Sequence, residues 1–315
     1  MSIFDAIIQG IVQGLTEFLP VSSSGHLAIT QHIMGVTEDN LFFNVMLHMG
    51  TLVAVVAVYY KLVWDLIKEI FSMIKDIFTG KFTFKNVSPM RQMVFMFIIA
   101  LAPLFLLFLP IPGTDMKIKD FAELISGGDQ FFIIVGICLL ITSILLTVGT
   151  IANNRLRKKE LKAGTLSEYG AGKRALTPLD ALTVGLTQLV AAVFPGISRS
   201  GSTLAAGQLR GVNRQTALDF TFVMAIPSIF AATVLELSES LSSDQGIGIS
   251  IGAIIAGVLA SAIVGYAAIW LFKWVLKTNK MYVFIIYTAI VGLAVVVISI
   301  IEMIVGYNIF VGAPV

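Results

Sequence analysis

Charge is scarce in this chain. Lys, Arg, Asp and Glu make up 13% of its 315 residues, and 57% of the residues are apolar. A soluble domain carries about 25% charged residues, so the balance excludes a soluble globular protein. Cysteine is scarcer still. Cys138 stands alone in an apolar run, which excludes an intrachain disulfide or a cysteine-based metal site and leaves it a packing role. Lys and Arg are absent from residues 1–60. The first 25 residues thus have no basic n-region, and Gln9, Gln13 and Glu17 interrupt any apolar h-region. No cleavable signal peptide is expected, and targeting falls to the spans themselves.

What is present in quantity is hydrophobic sequence. Long apolar runs occur near residues 43–60, 91–109, 131–152, 215–236, 249–272 and 281–305. Each approaches or exceeds the roughly 20 residues that cross a bilayer as a helix. Two further stretches, 3–33 and 180–212, are apolar but broken by Pro/Ser/Gly loops. Neither half of either stretch spans comfortably, so each reads as a re-entrant helix–loop–helix hairpin.

The basic residues test this count. The 60–91 connection carries Lys61, Lys68, Lys75, Lys81, Lys85 and Arg91, and the 153–177 connection holds seven Lys and Arg between Arg155 and Arg174. Residues 273–280 carry Lys273, Lys277 and Lys280. Between them, the 110–130 connection sets Lys117 and Lys119 against Asp115, Asp120, Glu123 and Asp129, and the 237–248 connection has no basic residue. Rich and poor connections alternate, as the positive-inside rule requires, and both termini are expected outside. Segment 61–80, with Trp64, Lys68 and Lys75, reads as an amphipathic helix on the inner surface.

The chain also repeats itself. Asp5, Ala6, Gly10, Gln13, Pro20 and Ser23 recur 175 residues later as Asp180, Ala181, Gly185, Gln188, Pro195 and Ser198. Each copy is one hairpin plus three spans. Three is odd, so the second copy enters the membrane upside down. The expectation is an all-α integral membrane protein with an inverted-topology repeat: six transmembrane helices and two re-entrant hairpins whose tips meet near the midplane. Residues 1–152 form the first repeat, 153–177 a basic cytoplasmic linker, and 178–315 the second repeat, all in one membrane domain.

The polar residues of the two tips are the candidates for chemistry, because a bilayer tolerates them only where they line a site. Gln13 and Glu17 are four apart and share a helix face. Glu17 serves either as a structural hydrogen-bond acceptor to the facing hairpin or as a cation ligand or general base. Pro20-Val21-Ser22-Ser23-Ser24-Gly25-His26 follows it. Ser23 and His26 sit close enough in sequence to pair as nucleophile and base, and His26 is equally suited to a structural role or to direct attack on phosphorus. The second tip is Pro195-Gly196-Ile197-Ser198-Arg199-Ser200-Gly201-Ser202-Thr203. Arg199 offers a fork of donors for phosphate oxygens, or pairs with Glu17 at rest and opens for substrate. Asn44 and Asp219, another pair 175 apart, are expected to pin the hairpins. Arg210 and Arg214 are expected at the inner surface, solvated or lipid-facing. His48 reads as a packing residue and His32 as interfacial.

These motifs, Gln13-x-x-x-Glu17 with Pro20 through His26, and Pro195-Gly196-x-Ser198-Arg199-Ser200-Gly201-x-Thr203, resemble the undecaprenyl-diphosphatase (bacitracin-resistance) family over essentially the whole chain. The resemblance implies hydrolysis of undecaprenyl diphosphate to undecaprenyl phosphate and inorganic phosphate in the bacterial plasma membrane. That recycles the lipid carrier for peptidoglycan, with bacitracin competing for the substrate. It also implies a divalent cation, Mg²⁺ or Ca²⁺, a site facing outside, and a homodimer; no nucleic-acid partner is expected. Carried over by residue, Glu17, Ser23, His26 and Arg199 are catalytic. Gln13, Ser22, Ser24, Gly25, Ser198, Ser200, Gly201 and Thr203 bind substrate, and Glu17 and Gln13 hold the cation. Many members have Glu at the place of Gln13, so a two-carboxylate metal site is in doubt here. Ser23 assisted by His26 is the favoured nucleophile. The rival function is a transporter or flippase for a lipid phosphate. An ion channel is disfavoured because no ring of pore-lining charges is evident.

Overall fold

The computed structural model describes residues 1–35, 41–83, 87–126, 132–242 and 249–312. Lys85, Asp129 and residues 243–248 lie outside the described residues. Among those described the chain is helical, with no strand beyond three isolated bridges.

The first hairpin is α1 (Ile3–Phe18) and α2 (Ser23–Met34); the second is α8 (Pro178–Val193) and α9 (Arg199–Leu209). α1 and α8 begin and end 175 residues apart, and the same device starts both. Ser2 with Asp5, and Thr177 with Asp180, form capping boxes that satisfy the first backbone N–H groups of each helix. Residues Ser22 and Ser198 then cap α2 and α9. Both are too short to cross a bilayer.

The spans are α3 (Leu41–Val58), α5 (Pro89–Leu101) with its 3-10 continuation Ala102–Phe108, α7 (Phe132–Lys162), α10 (Arg214–Ser242), α11 (Ile251–Lys277) and α12 (Tyr282–Val305). Five are long and apolar enough to cross, and α3 makes a sixth with its bent partner α4 (Tyr60–Phe78). α4 turns 89° from α3. It exposes Trp64, Phe71 and Phe78 beside Lys68 and Lys75 and buries Leu66 and Met73. Arg91 ties it to α5 through Glu69 at 2.6 Å and Asp76 at 2.7 Å. A short helix, α6 (Ile118–Ser126), completes the set.

Two boundaries differ from the sequence expectation. α7 runs on through Lys162 and absorbs the first part of the 153–177 linker, and α11 runs on to Lys277. Apolar sequence marks where a helix is buried, whereas backbone hydrogen bonding continues past that point.

The basic connections gather at one end of the bundle. Lys273 lies 4.0 Å from the ring centre of Tyr59, Gln92 donates to the Leu176 carbonyl, and Arg214 bonds Asn279 and the Leu276 carbonyl. Arg210 and Lys173 both pair with the buried Asp180, at 3.0 and 2.6 Å. Arg210 and Arg214 are therefore partly exposed groups that also anchor the base of the second half.

Helix pairings recur between the halves. α1 lies along α11, and its repeat partner α8 lies along α5. Both contacts depend on the glycines of the repeat. A Cβ on Gly10 would stand 2.4 Å from the Gly257 carbonyl oxygen, and one on Gly185 would stand 2.3 Å from that of Ala100. Without a hydrophobic drive between helices in lipid, such close backbone approach is the main source of packing energy.

Candidate active site

The hairpin tips touch. A Cβ on Gly25 would meet the Gly196 Cα at 3.1 Å, and one on Gly201 would meet Pro20 Cβ at 3.2 Å. Ser200 Oγ donates to the Leu19 carbonyl across the junction at 3.0 Å. Thr142 on α7 braces the second tip: its hydroxyl donates to the Gly196 carbonyl at 3.0 Å and accepts from Ser198 N at 2.9 Å.

The second loop is one residue longer than the first, which shifts the register. The sequence pairs Ser23 with Ser198, but the caps pair Ser22 with Ser198 and place Ser23 and Arg199 at equivalent first positions of α2 and α9. Gly196 accommodates the longer loop at φ +94°, with the Val135 carbonyl 2.6 Å from where a Cβ would sit. Ser22 carries the strain in the first tip. It is a non-glycine residue at φ +73°, a conformation costing on the order of 1–3 kcal/mol that persists where surrounding contacts over-determine it.

Both first-position side chains reach Glu17. Arg199 Nη2 forms an ion pair with Glu17 Oε1. Ser23 Oγ donates to Glu17 Oε2 at 2.6 Å, and Gln13 Nε2 donates to the same oxygen at 2.9 Å. Glu17 itself is buried at 4% exposure. A carboxylate so buried persists only when paired and hydrogen-bonded. Beneath it, Phe18 packs edge-on against Phe222, which also contacts Tyr59 and Phe272, a dry floor for the polar cluster.

His26 does not join Ser23. Its Nδ1 lies 2.8 Å from the Ser22 carbonyl and its Nε2 lies 2.8 Å from the Tyr287 hydroxyl. The expected Ser23–His26 pair is replaced by Ser23–Glu17, because the start of α2 turns the imidazole toward α12. Several predicted hydroxyls face inward. Ser198 and Ser200 are buried and share a 3.2 Å contact, and Thr203 donates to the Arg199 carbonyl and accepts from Thr221. They and Ser22, which accepts from Gly25 N at 3.3 Å, shape the tips. Ser23, Ser24 and Arg199 keep side-chain exposure, and the N-termini of α2 and α9 converge on them. Two aligned helix N-termini favour an anion there.

Sequence reasoning missed two residues here. His48 Nε2 stands 3.7 Å from Glu17 Oε2, and its Nδ1 donates to the Asn44 carbonyl at 2.7 Å. It is part of the site and not a packing residue. Tyr287 belongs to no sequence motif, although a phenol in an apolar helix needs a polar partner. Of the two repeat residues expected to pin the hairpins, Asn44 does so through Gln31 at 3.2 Å. Asp219 instead accepts from Tyr59 on α3 at 2.7 Å. His32 is buried among protein side chains. It bonds Glu302 at 3.0 Å and stacks on Phe132 at 4.0 Å, fastening the first hairpin to the end of α12.

Among the described residues no group of three or more His, Cys, Asp and Glu could hold a metal ion. One buried acceptor, Gln13 Oε1, has no hydrogen-bond partner, and it adjoins Glu17 on α1. This pair fits a cation that takes most of its ligands from a bound phosphate, and does not make a cage of protein ligands.

Fold and tips together define a polytopic membrane protein whose two re-entrant hairpins meet at a buried polar cluster. Comparison with known proteins narrows the class. The model of the family described as bacitracin resistance protein BacA matches residues 6–294, and the chain belongs to that family. It is 40% identical over 304 residues to the undecaprenyl-diphosphatase of Alkaliphilus metalliredigens, covering 95% of this chain and 99% of the relative. It is 32% identical to that of Methanosphaera stadtmanae, covering 96% and 99%, and 34% identical to that of Bacteroides fragilis strain YCH46, covering 95% and 99%.

Proposed function

We propose that this protein is an undecaprenyl-diphosphate phosphatase. It hydrolyses the lipid diphosphate to undecaprenyl phosphate and inorganic phosphate, and so regenerates the carrier used in wall synthesis. The observation that carries the reading is that Glu17 bonds Ser23 from its own hairpin and Arg199 from the other at once. The full-length relatives bearing this activity in their names support it, and they disfavour the carrier alternative.

Charge transfer between these groups suggests the sequence of events. The diphosphate enters between the N-termini of α2 and α9 and draws Arg199 off Glu17, since a guanidinium fork matches phosphate oxygens. Glu17 then loses the guanidinium as its partner at the moment the substrate is seated, while Oε2 keeps its bond to Ser23. Glu17 Oε2, already in contact with Ser23 Oγ, takes its proton as Oγ attacks the terminal phosphorus. The Oγ–P bond forms, the bridging P–O bond breaks, and undecaprenyl phosphate leaves. Water then attacks the phosphoserine, the Oγ–P bond breaks, Glu17 returns its proton to Ser23 Oγ, and phosphate departs carrying the protons of the water. Arg199 and the helix-terminal amides stabilise charge on the phosphoryl oxygens throughout.

A divalent cation, Mg²⁺ or Ca²⁺, belongs to this reading. Gln13 Oε1 and Glu17 would hold it, and it would neutralise part of the diphosphate charge. The basic end of the bundle is assigned to the cytoplasm, which puts both termini and the opening of the site outside. Bacitracin competes for the same diphosphate, and the enzyme is a homodimer.

The test is phosphate release from a long-chain polyprenyl diphosphate by detergent-purified protein with Mg²⁺ or Ca²⁺, with EDTA and Glu17→Ala as controls. Release lost with EDTA and with Glu17→Ala supports the whole reading. Release that survives EDTA removes the cation, and no release from folded wild type favours the carrier.

A further inference from the structure

His26 has two ring nitrogens and two partners of different kinds. The Ser22 carbonyl can only accept, so the 2.8 Å contact at Nδ1 requires the proton to sit there. In the neutral ring Nε2 is then the acceptor, and the Tyr287 hydroxyl 2.8 Å away is the donor. The two rings also stack, with centroids 5.6 Å apart and planes within 13°. Tyr287 comes from α12, 261 residues away in sequence, so the bond fastens the first hairpin tip to the last span. Its side chain is 42% exposed, although it meets a histidine that is 9% exposed. The only lone pair of His26 therefore points at the Tyr287 hydroxyl and away from Ser23, whose proton goes to Glu17.

We propose that Tyr287 is a positioning residue for His26: it holds the imidazole in the Nδ1–H tautomer and fixes the direction in which Nε2 points. There, a water or a protonated phosphate oxygen can replace the phenol as donor without the ring turning. This deepens the reading of His26 as a site residue and rests on it. Ring orientation set by a second group is what makes a histidine effective in proton transfer. Without the phenol, only backbone carbonyls of the first tip, Ser22 and Val21, bond the ring, all from the chain just before it, and the tie to α12 is lost.

The experiment compares wild type, Tyr287→Phe, His26→Ala and the double variant, with Tyr282→Phe as control. Tyr282 starts the same helix and lies exposed, outside the site. Protein carrying ¹⁵N-histidine is assigned by difference with His26→Ala. The expected result is a protonated Nδ1 and a hydrogen-bonded, unprotonated Nε2 in wild type. In Tyr287→Phe the Nε2 signal moves to that of an unbonded lone pair. Turnover in Tyr287→Phe falls about tenfold with KM within twofold, a part of the roughly 10²–10⁴ that a fully positioned general acid–base group contributes. Tyr287→Phe adds nothing in the His26→Ala background. A protonated Nε2 in wild type, an unmoved Nε2 signal in Tyr287→Phe, or additive losses would overturn the proposal while leaving His26 in the site. Full turnover by His26→Ala would overturn it differently, by removing His26 from the reaction.

Discussion

Arg199 and Glu17 meet across the junction of the two hairpins, each at a helix end and each on a different half of the repeat. The pair does two jobs. It satisfies a buried carboxylate in the resting protein, and in the proposed reaction it keeps Arg199 beside the group it gives up for phosphate.

Arg199→Lys tests the fork. A point charge can still pair with Glu17 but cannot grip two phosphate oxygens. Turnover should fall by roughly 10²–10³, the loss typical of removing one pre-organised electrostatic group from a transition state. Near-normal phosphate release by folded Arg199→Lys would exclude the exchange of partners described above.

Ser23→Ala separates attack by the hydroxyl from attack by water. If Ser23 forms the phosphoenzyme, the variant retains no more than about one part in 10³ of turnover, in line with loss of a covalent nucleophile. Acid-quenched wild type should then carry labelled phosphate at Ser23, located by mass spectrometry. Should Ser23→Ala lose only a few-fold, water is the nucleophile and Ser23 merely orients Glu17.

Gln13→Glu adds a carboxylate beside the one already bound by Arg199 and Ser23. If a cation sits there, its apparent affinity should rise about tenfold, since carboxylates are preferred ligands for Mg²⁺ and Ca²⁺. Titration of phosphate release and of cation binding by calorimetry would measure this. An unchanged affinity places the cation elsewhere.

Gly14→Val tests the packing that holds Glu17 in place. A Cβ there would lie 2.5 Å from the Ser261 carbonyl oxygen and 2.9 Å from Gly265 N, both α11 backbone. Overpacking costs about 1–3 kcal/mol, so the melting temperature in detergent should drop by several degrees. Gly80→Ala offers a contrast in space, since nothing lies within 4 Å, though its φ of +68° adds a local backbone cost. An unchanged melting temperature for Gly14→Val would show that α1 and α11 are less tightly joined than described.

Most of the architecture was legible in the sequence. The six apolar runs, the perpendicular amphipathic helix and both hairpins coincide with α3 to α12 and with the α1–α2 and α8–α9 pairs. The Glu17–Arg199 pairing was also foreseeable, since a lone acid and a lone cation in facing apolar tips have few other partners. The loop register was not, because a one-residue insertion between Pro195 and Ser198 leaves the flanking repeat intact. His48 and Tyr287 were hidden for another reason. Each sits on a span with no polar motif around it, and its importance comes from the helix it faces.

By itself the sequence determined the class of protein, the position of its helices and the residue types of its site. Hydropathy, capping residues and charge placement are local or periodic properties that a linear chain displays openly. Only the tertiary structure decided which side chain meets which. It gave Ser23 to Glu17, His26 to Tyr287 and His48 to Glu17, because such pairings depend on the rotation of each helix about its axis and on how closely its glycines let a neighbour approach.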